Sequence, residues 1–273
     1  MADGGLLVAL AHPDDESLIS GTIARYASRG MPVTMLCATR GEVGEIAPGT
    51  GATRETLGAV REQELRDACG LLGVDDVRFL TYRDSGMQGT PENDDPRNFA
   101  RADAERVAGE ILAIIEQVQP KVVVTWDETG GYGHPDHVAM HVRTLAAFDK
   151  LHDDGQSGAP DALYYMAIPI SEFVRVMSEM RARGIDVGEP PGGGEAVASM
   201  PRAEANCVIE VSDEYELKRQ ALRAHKTQLD TFGPFTNMPP DLERSFFGRE
   251  YFFRARPPLP DGTTIDDLFA ELG

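Results

Sequence analysis

Cysteine is scarce in this sequence, with three residues among 273. Cys37, Cys69 and Cys207 are widely spaced and odd in number, a pattern that predicts neither a disulfide framework nor a thiol-rich zinc site. Cys37 and Cys69 lie in apolar runs, where cysteine usually acts as a small core residue. We therefore expect neither a disulfide-stapled scaffold nor a zinc protein built on cysteines.

Long hydrophobic runs are also lacking. No stretch approaches the roughly 20 apolar residues that a membrane-spanning helix needs. The apolar run at residues 6–11 is too short for a secretion signal, and no basic leader precedes it. These absences predict a soluble protein of the cytoplasm.

Positive charge is the third shortage. Lys and Arg number 26 against 45 Asp and Glu, which gives a formal net charge of −19. Such a field repels phosphate-rich polymers and anionic bilayers, so neither nucleic acid nor a membrane is expected as a partner. The remaining composition, with 41% hydrophobic and 26% charged residues, is that of an ordinary globular protein.

Short apolar runs alternate with longer amphipathic ones over the first two-thirds of the chain. The apolar runs predict strands at residues 6–11, 32–38, 77–80, 121–126 and 162–168. The amphipathic runs predict helices at residues 18–29, 55–72, 103–119 and 134–148. Continuous apolar strands that alternate with helices indicate an α/β fold: a Rossmann-like, mainly parallel sheet with helices on both faces.

The C-terminal part, from about residue 184, has a less regular pattern and matches no motif residue by residue. It predicts a loop at residues 189–195 (EPPGGGE), a strand at 207–211, a helix at 213–226 and an aromatic final strand at 246–253, packed on the core. Nothing in the chain resembles a linker between domains or an internal repeat. We therefore predict one domain over residues 1–273.

Two histidine-containing segments follow predicted strands. Residues 11–16 (AHPDDE) end the first strand, and residues 134–137 (HPDH) follow the fourth strand after a glycine-rich turn. Because ligands bind outside the carboxyl ends of the strands in such sheets, both segments are expected at the same edge. Either segment alone could be a local turn, since Asp and Pro favour turns. Their pairing at two strand ends indicates a functional site.

These segments offer metal ligands at His12, Asp15 and His137. Two imidazoles and one carboxylate suit Zn²⁺ or Fe²⁺ and leave positions open for water and substrate. Asp14 remains free to take a proton from a water activated by the metal, which predicts attack of hydroxide on an amide carbonyl. Two other catalytic patterns are missing from the sequence: the Gly-x-Ser-x-Gly of serine hydrolases and a Gly-x-Gly-x-x-Gly after the first strand.

The paired motifs resemble those of the LmbE/PIG-L deacetylases, zinc enzymes that act on N-acetylglucosaminyl substrates. The resemblance covers nearly the whole chain, from the first strand to residues 224–228 (AHKTQ). Residues 83–87 (RDSGM), 89–97 (GTPENDDPR) and 130–133 (GGYG) resemble the subgroup that deacetylates N-acetylglucosaminyl-inositol in mycothiol biosynthesis. The related amidase of mycothiol conjugates has a lysine where this chain has Ile19, which disfavours that activity.

This resemblance implies a role for each residue that matches a family motif. The implied roles are zinc ligands at His12, Asp15 and His137, a general base at Asp14, an oxyanion donor or general acid at His134 with Asp136 orienting it, a contact to the tetrahedral intermediate at Tyr132, and substrate binding at Arg83. Donors of this kind stabilise the charge that develops on the carbonyl oxygen. The implied substrate is a small acetylated amino sugar.

Two other functions are compatible with the sequence. One is a deacetylase or amidase of the same chemistry that acts on a mycothiol conjugate or a natural-product intermediate. The other is a non-catalytic metal- or sugar-binding protein, which the presence of Asp14 and His134 disfavours because neither is needed to hold metal. The sequence leaves open the choice between Zn²⁺ and Fe²⁺, the existence of a homo-oligomer, and whether His134 or Asp14 protonates the leaving amine.

Overall fold

The strands of the computed structural model join in one sheet. Residues 4–167, 169–187, 205–229 and 238–272 are described. Within these ranges the strands are β1 (Gly5–Leu10), β2 (Val33–Cys37), β3 (Asp76–Phe79), β4 (Pro120–Thr125), β5 (Ala162–Ala167), β6 (Cys207–Glu210) and β7 (Arg249–Arg256). Their order is β3-β2-β1-β4-β5-β7-β6. The first five are parallel, and β7 runs antiparallel to both β5 and β6. The predicted mainly parallel α/β fold is confirmed.

Helices connect most of these strands. In the described ranges they are α1 (Ser20–Ser28), α2 (Leu57–Leu72), α3 (Ala104–Val118), the single turn α4 (Gly130–Gly133), α5 (Pro135–Asp153), α6 (Ile170–Ala182), α7 (Tyr215–Ala224) and α8 (Pro240–Phe247). The sequence explains α3 well: the Asp103 carboxylate accepts the Arg106 N–H at its start, and Val107, Ile111 and Ile115 are buried at helical spacing. None of the helices within the described ranges is long and apolar enough to cross a bilayer.

The chain changes direction across the sheet between β1 and β4. It runs from β1 through β2 to the edge strand β3, then returns to β4 on the other side of β1. Right-handed crossovers therefore put α1 and α2 on one face and α3 and α5 on the other, and each pair is in contact. Since ligands bind where the strand order reverses, this topology places the site at the carboxyl ends of β1 and β4.

The C-terminal part differs most from the sequence-based expectation. The predicted strand at 246–253 is wrong at its start, because Phe246 and Phe247 end α8 and the strand begins at Arg249. Phe246 packs on a small apolar cluster between α6 and α8 that includes Met180 and Leu242. Helix α6 was not predicted, and the predicted loop at 189–195 lies outside the described residues.

Candidate metal centre and active site

The turn after β1 is held by the carboxylate of Asp15. Its Oδ2 accepts the backbone N–H of Ala11 at 3.0 Å and of His12 at 2.9 Å. The indole Nε1–H of Trp126, the first residue after β4, also donates to this oxygen at 3.2 Å. The other oxygen, Oδ1, lies 3.3 Å from Nε2 of His137. One oxygen of Asp15 therefore orders the turn, and the second faces the neighbouring segment.

The three predicted metal ligands lie together. Nδ1 of His12 is 3.1 Å from Nε2 of His137, and Asp15 Oδ1 is 3.9 Å from the same His12 nitrogen. All three side chains are buried, with exposed fractions of 8% or less. Two imidazole nitrogens and one carboxylate oxygen are thus close enough to share a single ion.

The other nitrogen of each imidazole has a hydrogen-bond acceptor. Nδ1 of His137 lies 3.0 Å from the carbonyl oxygen of Gly130, so a proton there leaves Nε2 with a free lone pair. Nε2 of His12 lies 3.1 Å from Asp136 Oδ2 and 3.6 Å from Asp84 Oδ1, which leaves its Nδ1 free in the same way. Partners of this kind orient metal-binding histidines, so the donor set fits a divalent metal such as Zn²⁺ or Fe²⁺.

The charges around the site also suit a cation. Burial lowers the pKa of His12, but the carboxylates of Asp84, Asp136 and Asp15 raise it well above its ordinary value. Burial would raise the pKa of Asp15, yet the imidazoles of His137 and His12 hold it well below its usual range. The cluster therefore stabilises positive charge between these groups, which is the charge that a metal ion brings.

His134 begins helix α5 beside this cluster. One of its ring nitrogens lies within 4.8 Å of nitrogens of His12 and His137. Its Nδ1 accepts the backbone N–H of Asp136 at 3.2 Å, so the ring carries its proton on Nε2. Burial and the two neighbouring imidazoles lower the pKa of His134 to about 2, so the ring is a neutral hydrogen-bond donor.

Asp136 makes its hydrogen bond to the expected partner His134 through this backbone N–H. Its carboxylate Oδ2 instead lies on His12 and accepts the backbone N–H of Ser85 at 2.9 Å. The side chain is fully buried, and its contacts fix the imidazole of a predicted metal ligand. The structure places the Asp136 carboxylate against His12, and the orientation of His134 by Asp136 stays a prediction.

Asp14, the predicted base, occupies a strained turn. Its φ is 98°, in the left-handed region that non-glycine residues rarely adopt. Its Oδ2 lies 3.2 Å from Nη2 of Arg61, and the same guanidinium donates to the carbonyl oxygens of Pro13 and Gly41. Burial raises the pKa of Asp14 to about 6, with Arg61 opposing the shift and Asp15 adding to it. A carboxylate in this range can exchange protons near neutral pH.

A second buried contact reaches this turn from the C-terminal part. Glu16 accepts the backbone N–H of Asp14 with Oε2 at 3.0 Å, and its Oε1 lies 2.6 Å from Nε2 of His225. Both the Glu16 and the His225 side chain are fully buried. The segment that follows helix α7 therefore supports the turn carrying the predicted base.

Tyr132 lies in the glycine turn before His134. Its ring makes an edge contact with His137, with centroids 5.1 Å apart, and with His134 at 6.2 Å. Gly130 and Gly131 have φ values of 63° and 70°, and a Cβ on either one would come within 2.8 Å of a neighbouring atom. Glycine is therefore needed at both positions for the turn to pack against the site.

Arg83, the predicted substrate-binding residue, pairs with the carboxylate of Asp95. Its Nε lies 3.5 Å from Asp95 Oδ2, and its side chain is 38% exposed. The next residue, Asp84, reaches His12 and also accepts the backbone N–H groups of Gly86 and Val43. The substrate-binding role of Arg83 stays a prediction.

Three residues of the site were missed in the sequence analysis. Asp84 lies in the segment 83–87 and Glu16 in the segment 11–16, both of which the sequence pattern had indicated as functional. The contacts that these two side chains make could not be predicted from sequence spacing. Nothing in the sequence indicated a role for Arg61, because it lies on a charged helix, where arginine is normally solvated. Its side chain is nevertheless only 4% exposed.

Comparison with known proteins identifies the family. Residues 7–148, more than half of the chain, match the family described as PIG-L, GlcNAc-PI de-N-acetylase. The chain belongs to the PIG-L family. The prediction of a hydrolytic N-deacetylase of this family is therefore confirmed.

Relatives of this PIG-L protein share its whole length. A protein of Acidothermus cellulolyticus is 40% identical, with 97% of this chain and 94% of the relative covered. One of Thermobifida fusca is 38% identical, with 99% and 100% covered. Both are named 1D-myo-inositol 2-acetamido-2-deoxy-alpha-D-glucopyranoside deacetylase.

Solved structures share the fold at low sequence identity. The N,N'-diacetylchitobiose deacetylase of Pyrococcus horikoshii has a TM-score of 0.60 at 19% identity, covering 92% of this chain and 84% of that one. GalB of Pseudomonas putida, a 4-carboxy-2-hydroxymuconate hydratase, has a TM-score of 0.56 at 17% identity, covering 95% and 99%. Since a deacetylase and a hydratase share this fold, the reaction must be argued from the site itself.

Proposed function

We propose that this PIG-L protein is a metal-dependent deacetylase that hydrolyses the acetamide of N-acetylglucosaminyl-inositol. The observation that supports it most is the meeting of His12 Nδ1, Asp15 Oδ1 and His137 Nε2, with the carboxylate of Asp14 on the same turn. The substrate is proposed from the full-length relatives that carry this activity in their names. A cytoplasmic location and a single domain remain predictions from the sequence.

His12, Asp15 and His137 would hold the metal, with Zn²⁺ as the first candidate and Fe²⁺ as the second. When bound, such a metal supplies Lewis acidity that activates water and polarises a carbonyl group. The chain supplies the remaining chemistry. Asp14 takes the proton of the attacking water, because its pKa of about 6 leaves it ionised at neutral pH.

Attack of the water oxygen on the acetamide carbon places negative charge on the former carbonyl oxygen. His134 donates from Nε2 to this oxygen, and its neutral ring suits a hydrogen-bond donor. The hydroxyl of Tyr132, whose ring lies against His134, is the second proposed donor.

The leaving amine then needs a proton. We assign its delivery to Asp14, which has just accepted one from water. The lowered pKa of His134 leaves its imidazolium form almost unpopulated at neutral pH, so this ring has no additional proton to deliver. The carbon–nitrogen bond breaks and the proton moves from Asp14 to the nitrogen. The products are a free amine and acetic acid, which keeps the second proton of the water and then ionises to acetate.

The test is a deacetylation assay on N-acetylglucosaminyl-inositol with metal-stripped protein and with Zn²⁺ or Fe²⁺ added back. We expect release of free amine only with metal. His137→Ala should lose both bound metal and activity, whereas His152→Ala, which removes an exposed histidine of the same helix, should keep both.

Three results would change the proposal. Turnover of a mycothiol conjugate or a natural-product intermediate, but not of N-acetylglucosaminyl-inositol, would replace the substrate and keep the chemistry. Full metal content in His137→Ala would remove the proposed site. Metal binding without turnover of any acetylated amine would support the non-catalytic alternative instead.

A further inference from the structure

Trp126 occupies a position that joins the two loops of the site. It is the first residue after β4 and the only tryptophan of the chain. Its side chain is 3% exposed. A buried tryptophan at the end of an apolar strand ordinarily packs in the core, and both its ring face and its polar atom would then meet apolar or backbone groups.

The polar atom of Trp126 has a different partner. Its indole Nε1–H donates to Oδ2 of Asp15, 111 residues away in sequence, at 3.2 Å. This oxygen also accepts two backbone N–H groups, so three donors hold it. The carboxylate therefore cannot turn to offer Oδ2 to an ion, and Oδ1 is the oxygen that faces His137.

The ring face of Trp126 lies on a second proposed ligand. The indole stacks on the imidazole of His137, with centroids 3.9 Å apart and planes 11° apart. This stacking restricts rotation of the imidazole whose Nδ1 is tied to Gly130. An electron-rich indole face also favours an imidazole that becomes more positive, as it does when its free nitrogen binds a cation.

From these two contacts we propose that Trp126 is a positioning residue of the metal centre. It holds the carboxylate of Asp15 and the imidazole of His137 in the relative orientation that binds the ion. The inference rests on the proposed function, since it needs a metal at these ligands. It also makes the fluorescence of Trp126 a direct reporter of metal binding.

Trp126→Phe and Trp126→Leu separate the two contacts. Phenylalanine keeps an aromatic face for His137 but loses the donor to Asp15, and leucine loses both. The apparent Kd for Zn²⁺ would be measured on metal-free protein by competition with a chromophoric chelator. We expect it to rise about 10–100-fold for Trp126→Phe, as for other residues that orient metal ligands, and further for Trp126→Leu.

Tyr164→Phe is the matched control for the lost donor. The fully buried Tyr164 hydroxyl donates to the carbonyl oxygen of Leu268, away from the ligands, so its removal should leave the Kd for Zn²⁺ unchanged. Urea unfolding of each metal-free variant shows whether the fold is intact. In the wild-type protein, Zn²⁺ should change the tryptophan emission and saturate at one equivalent.

Wild-type Kd values in both folded Trp126 variants would overturn the inference, as would an unchanged emission spectrum when Zn²⁺ binds. Different results would contradict the proposed function. In that case the wild-type protein binds no metal, or His137→Ala binds it equally well, whatever residue stands at position 126.

Discussion

The turn after β1, residues 11–16, and the segment after β4, residues 126–137, both carry histidine and carboxylate side chains into the site, yet they are held by different means. The turn after β1 has the contacts of its own Asp15 carboxylate and, in addition, long-range ionic contacts from Arg61 and His225. The segment after β4 is supported mainly by its own backbone: the carbonyl oxygen of Gly130 holds His137, and the N–H of Asp136 holds His134.

Part of this difference follows from the charge of Asp14 in the first segment and the neutrality of His134 in the second. A partly buried carboxylate such as Asp14 needs a partner of opposite charge, because an isolated charge withdrawn from water is unfavourable. Arg61 supplies that charge, and Glu16 with His225 fixes the backbone beneath it. A neutral imidazole such as His134 needs only one acceptor or donor, which the start of a helix provides.

The largest expected effect is the fall in kcat when Asp14, the proposed base, is replaced. Asp14→Asn keeps the shape of the side chain but cannot accept the proton of water, so kcat should fall by about 10²–10⁴-fold. Metal content, measured by elemental analysis, should stay at the wild-type level because Asp14 is not a proposed ligand. Asp153→Asn, an exposed change on α5, serves as the control. Full activity in Asp14→Asn would remove it from the role of base.

A smaller effect is expected when the Glu16–His225 pair, which supports the same turn, is broken. Burial lowers the pKa of His225, but the Glu16 carboxylate outweighs this and raises it above its ordinary value. The stabilisation by the pair is therefore complete below about pH 6.5 and is lost as the pH rises through the raised pKa. His225→Gln should cost roughly 3–5 kcal/mol of unfolding free energy at low pH, because it leaves Glu16 buried without its partner.

Urea unfolding of metal-free protein at several pH values measures this difference. The gap between wild type and His225→Gln should narrow as the pH rises. The double variant Glu16→Gln/His225→Gln should lose less than the sum of the two single variants, since the groups are in contact. A gap that is independent of pH would show that the two groups do not form an ion pair.

The smallest expected effect is the loss of unfolding free energy when a glycine of the segment after β4 is replaced by alanine. Gly131→Ala would place a Cβ 2.8 Å from the Trp126 ring at a φ of 70°, so both strain and a clash are introduced. We expect a loss of about 1–3 kcal/mol in unfolding free energy. Gly133→Ala, at φ 88° with no atom within 4 Å of its Cβ, has the strain without the clash. Equal losses in the two variants would mean that the contact with Trp126 is unimportant.

The sequence alone determined the parallel part of the sheet and the two histidine-containing segments that form the site. Continuous apolar runs identified β1, β2, β4 and β5, because strands buried on both faces must be apolar throughout. The same pattern placed His12 and His137 at one edge of the sheet, since parallel strands end on the same side. Both conclusions depend on local periodicity and on topology rules, which a single sequence contains.

Only the tertiary structure decided what surrounds those residues. The pair Glu16 and His225 is separated by 209 positions, and no periodicity links side chains so far apart. The antiparallel strand β7 lies between β5 and β6 rather than at an edge, which fixes where the C-terminal part passes. Arg61 is buried against Asp14 although its helix is rich in charge. These contacts depend on how separate elements pack, because spacing along one element specifies a face but not the partner on the other side.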